Sequence, residues 1–247
     1  MRTAALALVA LALAASLTAC ESSQEENARI EREVAHERVA NLRRRALAER
    51  NRTIAHPSAI VKVLAASVLH TSEGAAAVVT LRNDSASALS NLPIQIVVRD
   101  AAGASVYTNA VPGLGASLTT VAQIGAHATV LWVDDQVQAS STPASVSAKV
   151  GEGERGKAAS TAALAVSGVH LSEGGAEGSL VNHGSAAQHE VILDAVARRG
   201  GTIVAAGGAL VSDVEAGASA HFQALLIGRP QGAQLEVSVA GSATASG

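Results

Sequence analysis

The 247-residue sequence holds one cysteine, one methionine and only three aromatic residues, one each of Trp, Tyr and Phe. One cysteine excludes a disulfide framework and any multi-cysteine metal or iron–sulfur site. Three aromatics are too few for the stacking platforms that hold nucleobases or sugar rings. Net positive charge is also missing. A formal charge of −3 argues against a nucleic-acid partner, whose phosphates call for a basic surface. The glycine-rich turns, Gly207-Gly208 among them, lack the spacing and following helix of a phosphate-binding loop. No Gly-x-Ser-x-Gly elbow stands at a strand-to-helix turn, so a hydrolase is disfavoured and the reading is non-enzymatic. What remains is an ordinary globular composition, 48% hydrophobic and 16% charged.

The apolar residues are unevenly placed. Met1-Arg2-Thr3 supplies a short basic start, and Ala4 to Ala15 contains no polar residue. Ser16-Leu17-Thr18-Ala19-Cys20 follows, and then the wholly polar Glu21-Ser22-Ser23-Gln24-Glu25-Glu26. A basic start, an apolar core and small residues before a cut describe a secretory signal over residues 1–19. The run is shorter than the roughly 20 residues that span a bilayer. Leu17, Thr18, Ala19 and Cys20 resemble the lipobox of bacterial lipoproteins. The resemblance implies cleavage before Cys20 and acylation of its thiol, which consumes the only thiol in the chain. Export and anchoring to a bacterial membrane, facing periplasm or cell exterior, are expected from it. Two or three long acyl chains, at about 0.8 kcal/mol per buried methylene, hold stably.

Residues 20–57 form the next segment. Between Glu21 and Arg52 there are seven glutamates and eight arginines, with no glycine or proline. Ala, Glu, Arg and Leu favour helix, and Glu25–Arg29 and Arg29–Glu33 are opposite charges at i,i+4. The spacing predicts a charged helical stalk; a weak coiled coil and a disordered tether stand beside that reading. Arg43-Arg44-Arg45 suits anionic headgroups near an anchor or a solvated face. Pro57 ends any helix there.

Beyond Pro57 the pattern becomes short runs of Val, Ile, Leu and Thr between Gly, Asn, Asp and Ser. Strands are predicted at 60–69, 76–82, 94–99, 105–111, 118–124, 129–133 and 145–150. The segment then repeats. Leu69-His70-Thr71-Ser72-Glu73-Gly74 returns as Val169-His170-Leu171-Ser172-Glu173-Gly174, and Leu81-Arg82-Asn83 as Leu180-Val181-Asn182. Ala102 to Val106 resembles Gly200 to Val204, and Ile124 to Ala128 resembles Ala216 to Ala220. The copies are assigned to 58–150 and 160–247, joined by a linker at 151–159 where hydrophobic residues vanish. About 95 residues per copy suits a seven-stranded β-sandwich. The expected fold is mainly β: two immunoglobulin-like β-sandwiches in tandem after a charged α-helical stalk.

The layout resembles the FxLYD-type and related immunoglobulin-like modules of bacterial envelope lipoproteins. Asn83 and Asn182 stand at the first turn of that pattern. Ile96 to Asp100 with Gly103, and Val196 to Gly201 without the Asp, stand at the second. Gly125 with Val130, and Gly217 with Phe222, stand at the last. The resemblance implies display, spacing or protein contact: a structural or interaction role toward an envelope protein partner, or else a ligand-binding or assembly part of an envelope machine.

Few residues stand out as sites. His70 and His170, each three before a glutamate (Glu73, Glu173), offer two ligands per copy where a catalytic zinc needs three, so they read as strand-end residues before a turn. Trp132 reads as filling for the first core or as an exposed protein contact. Asp134 and Asp135 alone fall short of a calcium site. Neither cofactor nor metal is expected.

Overall fold

In the computed structural model, residues 53–155, 163–173, 175–240 and 245–246 are described. They belong to one compact unit. The signal-like segment with Leu17, Thr18, Ala19 and Cys20, the charged run and the end of the linker at 156–159 lie outside these residues.

The described chain is mainly β. The first copy contributes β1 (Val61–Thr71), β2 (Gly74–Asn83), β3 (Leu89–Arg99), β4 (Ser105–Thr108), β5 (Thr120–Ile124), β6 (Thr129–Asp134), β7 (Ser145–Val150) and the short β8 (Glu154–Arg155). One sheet has the order β1-β2-β6. The other is built round β3, which pairs with β4 and β5 along one edge and β7 and β8 along the other. Alternation along the strands fills the space between the sheets. Ala77, Val79, Leu81, Val130 and Trp132 from the first meet Leu92, Ile94, Ile96, Val98 and Val121 from the second. The linker begins later than its composition suggests, because Glu154 and Arg155 pair with Ser90 and Leu89.

The second copy contains β9 (Leu164–Ser172), β10 (Gly175–Asn182), β11 (Gln188–Arg199), β12 (Thr202–Val214), β13 (Ser219–Gly228), β14 (Gln234–Val239) and β15 (Ala245–Ser246). Its strands form one continuous sheet, β15-β14-β11-β12-β13-β10-β9. The sheet folds at β13, whose first half pairs with β10 and whose last residues pair with β12. Leu180, Leu193, Ala195, Phe222 and Val237 lie in a core separate from the first.

Hydrogen bonds align the copies residue by residue. Asn83 is fully buried; its amide donates to the carbonyls of Ser87 at 2.8 Å and Gly125 at 2.9 Å, while its Oδ1 accepts from Ser85 N at 2.9 Å. Asn182 repeats this with Ala186 at 2.8 Å, Val214 at 3.1 Å and Gly184 N at 2.9 Å. Asn91 and Glu190 both take positive φ, 53° and 51°, at corresponding positions in β3 and β11. The turn after β5 aligns differently from its sequence likeness. Asn83 N bonds Ala128 O and Asn182 N bonds Ala218 O, so positive-φ His127 corresponds to Gly217, and Trp132 to Phe222. The largest departure is β12. It runs unbroken for 13 residues where the first copy has β4, a loop with a 3-10 turn at Ala116–Leu118, and β5. Inside that loop the Asn109 side chain replaces the missing ladder: it accepts from Ile96 N at 2.8 Å and donates to Ile94 O at 3.0 Å.

Candidate functional site

The outer face of β2 and β6 is apolar. Ala76, Val78, Leu131 and Val133 are all buried, and their partners are Val196 and Ala206 from the second copy, with Ile203 and Ile227 alongside. A third hydrophobic cluster therefore joins the copies, formed by the sheet face of one against the β11–β12 face of the other. Burying such apolar area contributes about 25 cal/mol per Å².

Polar groups close the edge of this junction. β6 pairs only with β2, so its other edge presents free backbone groups. Asp194 of β11, 4% exposed, faces the Val133 N–H of that edge. In return Asp135, just after β6, faces the Gly208 N–H of β12. At the β1–β2 turn the Glu73 carboxylate accepts the Gly228 N–H at 3.3 Å. Glycine at 228 is required: a Cβ there would stand 2.3 Å from Val204 O and 3.0 Å from the Leu69 side chain. Three carboxylates thus meet three backbone N–H groups across the junction.

Asp134 lies beside them, fully buried, accepting from Tyr107 O–H at 2.8 Å and Gln136 N–H at 2.9 Å. Burial is the main cause holding the carboxyls of Asp134, Asp135 and Asp194 above the ordinary carboxylate range, with Asp135 adding repulsion at the other two. Burial and the adjacent Asp134 raise the Tyr107 hydroxyl above its usual range. Ser238, paired with Asp194 across β11 and β14, keeps its hydroxyl buried and without a hydrogen-bond partner.

The residues singled out in the sequence fall in different places. Trp132 is 3% exposed and donates from Nε1 to Ser117 O at 3.1 Å, so it is core and offers no surface to a partner. Glu73 becomes a junction contact. His70 and His170, alike in sequence, are not equivalent in register: His70 lies opposite Ala75, whereas His170 lies opposite Glu177. Asp194, buried at the junction, carries no signal in the sequence that sets it apart. Among the described residues no group of three or more His, Cys, Asp or Glu side chains could hold a metal ion. No helix among them is long and apolar enough to cross a membrane. No protein-family model and no curated protein sequence matches this chain.

Proposed function

We propose that the protein is a non-enzymatic envelope lipoprotein, exported and held to a bacterial membrane by lipid on Cys20. It presents two immunoglobulin-like modules for a structural or protein-interaction role. The observation that carries this reading is the position of the only cysteine, directly after Leu17-Thr18-Ala19 and an apolar segment. The charged run of residues 21–52 then serves as the spacer between membrane and modules. The apolar junction supports presentation as a single body: modules latched to each other offer a partner a fixed pair of surfaces. Metabolic labelling with a fatty-acid probe tests the anchor. The wild-type chain is expected to label and to fractionate with membranes, and Cys20→Ser to lose both properties. Labelling that persists in Cys20→Ser overturns the reading.

A further inference from the structure

β12 is paired along its length on one side and only in part on the other. Toward β13 it pairs from Ala205 to Gly208, opposite Gly228 to Leu225; the earlier residues of β13 pair with β10 instead. Glycine at 207 permits this crossing, since a Cβ there would overlap the Leu225 carbonyl oxygen. Among the described residues no strand pairs with β12 on that side from Ala209 onward. The ladder shows which groups are left there. Ala240 N–H donates to Ile192 O at 2.9 Å, so even-numbered residues of β11 bond β14 and odd-numbered ones bond β12. Ala209 and Val211 are therefore tied to β11, while Leu210 and Ser212 turn their backbone groups to the open side. Val214 ends the run, its carbonyl accepting the Asn182 amide at 3.1 Å.

We propose that this edge docks a second copy of the chain, the two β12 strands pairing antiparallel about a two-fold axis at Val211. Leu210 then lies opposite Ser212 of the second copy, and Ser212 opposite its Leu210, each a hydrogen-bonded pair. The open span selects this register. A pairing centred on Leu210 would bring the second strand against Gly208, where β13 already lies. Asp213 of each copy stands opposite Ala209 of the other, so like charges do not face each other.

The side chains beside the edge suit such a contact. Leu210 is 62% exposed and Leu225 69%. Both lie on the strand face that carries Ala206 and Ile227 into the junction, so the apolar surface of the junction continues to this edge. In the two-fold pairing the two Leu210 side chains become diagonal neighbours on that face, about 7–8 Å apart. The edge also lacks the devices that keep strands apart. The edge strands β1 and β9 each meet their partner through a register shift, whereas β12 pairs with β11 without a shift from Ala205 to Val214. Ala209 to Ser212 holds neither charge nor proline. The first copy offers no equal run, because its corresponding chain is divided into β4, a loop and β5.

Sedimentation velocity of the full chain over a concentration series, with amide exchange followed by NMR, tests the proposal. A dimer is expected to grow with concentration, weakly because the contact is small. Exchange of the Leu210 and Ser212 N–H groups is expected to slow in step with it. Ser212→Pro deletes a donor that β11 does not use, and Leu210→Lys sets a charge beside the two-fold axis. Each is expected to raise the dimer dissociation constant at least about tenfold, with an unchanged far-UV circular dichroism spectrum showing that the sheet is intact. A chain that stays monomeric at about 1 mM overturns the proposal, as does a dimer that survives both substitutions. Protection of Leu210 and Ser212 that does not vary with concentration also overturns it, because a segment of the same chain then covers the edge.

Discussion

The two copies share a plan, yet they use the same sheet face in opposite ways. On β2 and β6 the outward positions are Ala76, Val78, Leu131 and Val133, all buried in the junction. On β10 and β13 the corresponding positions include Glu177, His221 and Gln223, which face solvent. One copy meets a neighbour through this face; the other keeps it polar. The other side of each strand changes less, because Leu81 and Leu180, like Trp132 and Phe222, fill their own cores. The two copies offer equivalent faces, and the outward residues decide which one docks.

The difference is open to direct attack. Val78→Glu, the residue found in the second copy, places a carboxylate in the apolar junction. It is expected to cost on the order of 3–5 kcal/mol, an effect typical of an unpaired buried charge, seen in denaturant titration as a lowered midpoint. The reverse change, Glu177→Val, leaves the unfolding midpoint nearly unchanged, because its site is at the surface. A smaller effect is expected where the copies agree. Asn83→Ala and Asn182→Ala each remove amide bonds to backbone carbonyls and one bond accepted from a backbone N–H, at about 2–3 kcal/mol, with Asn83 also losing the bond from Ser85 Oγ. A clear inequality between those two losses would show that the turns are less alike than their hydrogen bonds.

Smaller again is Trp132→Phe, which installs the second copy's aromatic and removes the Nε1 bond to Ser117, at about 1–2 kcal/mol. The mildest test is Asp194→Asn, which keeps an acceptor for the Val133 N–H but no ionisable group. Since burial raises the folded carboxyl above its unfolded value, the folded state binds the proton more tightly. Its stabilising effect is complete below the unfolded carboxylate pKa, about 3.9, and is lost as pH rises through the folded value. The variant's melting temperature should therefore match that of the wild-type protein near pH 3 and move above it as pH rises. A difference that is constant with pH contradicts the buried-carboxyl description.

Much of this architecture was legible in the sequence. Runs such as Thr129 to Val133 and Ser145 to Val150 gave strands within a residue of their observed bounds, because β-branched residues between turn formers say little else. Asn83 and Asn182 marked the repeat because each turn needs a short amide side chain to bond backbone on both sides. The junction was less visible, although a signal was present. Val130-Leu131-Trp132-Val133 is apolar at every position, as is Ala75 to Val79, which marks strands covered on both faces. His221-Phe222-Gln223-Ala224 alternates, as a strand with one wet face does. His70 and His170 stand near the ends of their strands as read, but their likeness does not extend to their cross-strand partners, because a hairpin register is set by its turn and not by the similarity of its residues. The acids of the junction were beyond reach, since Asp135 and Asp194 are 59 positions apart and meet only when the copies dock.

The central claim is that the first copy's apolar face makes the two modules one cooperative body, and the single Trp132 allows it to be tested without a label. Its fluorescence reports the first copy alone, while far-UV circular dichroism reports both. Equilibrium unfolding of the wild-type chain should give coincident transitions by the two probes, and Val78→Glu should separate them, with the fluorescence change coming first. Two well-separated transitions in the wild-type chain would contradict the account.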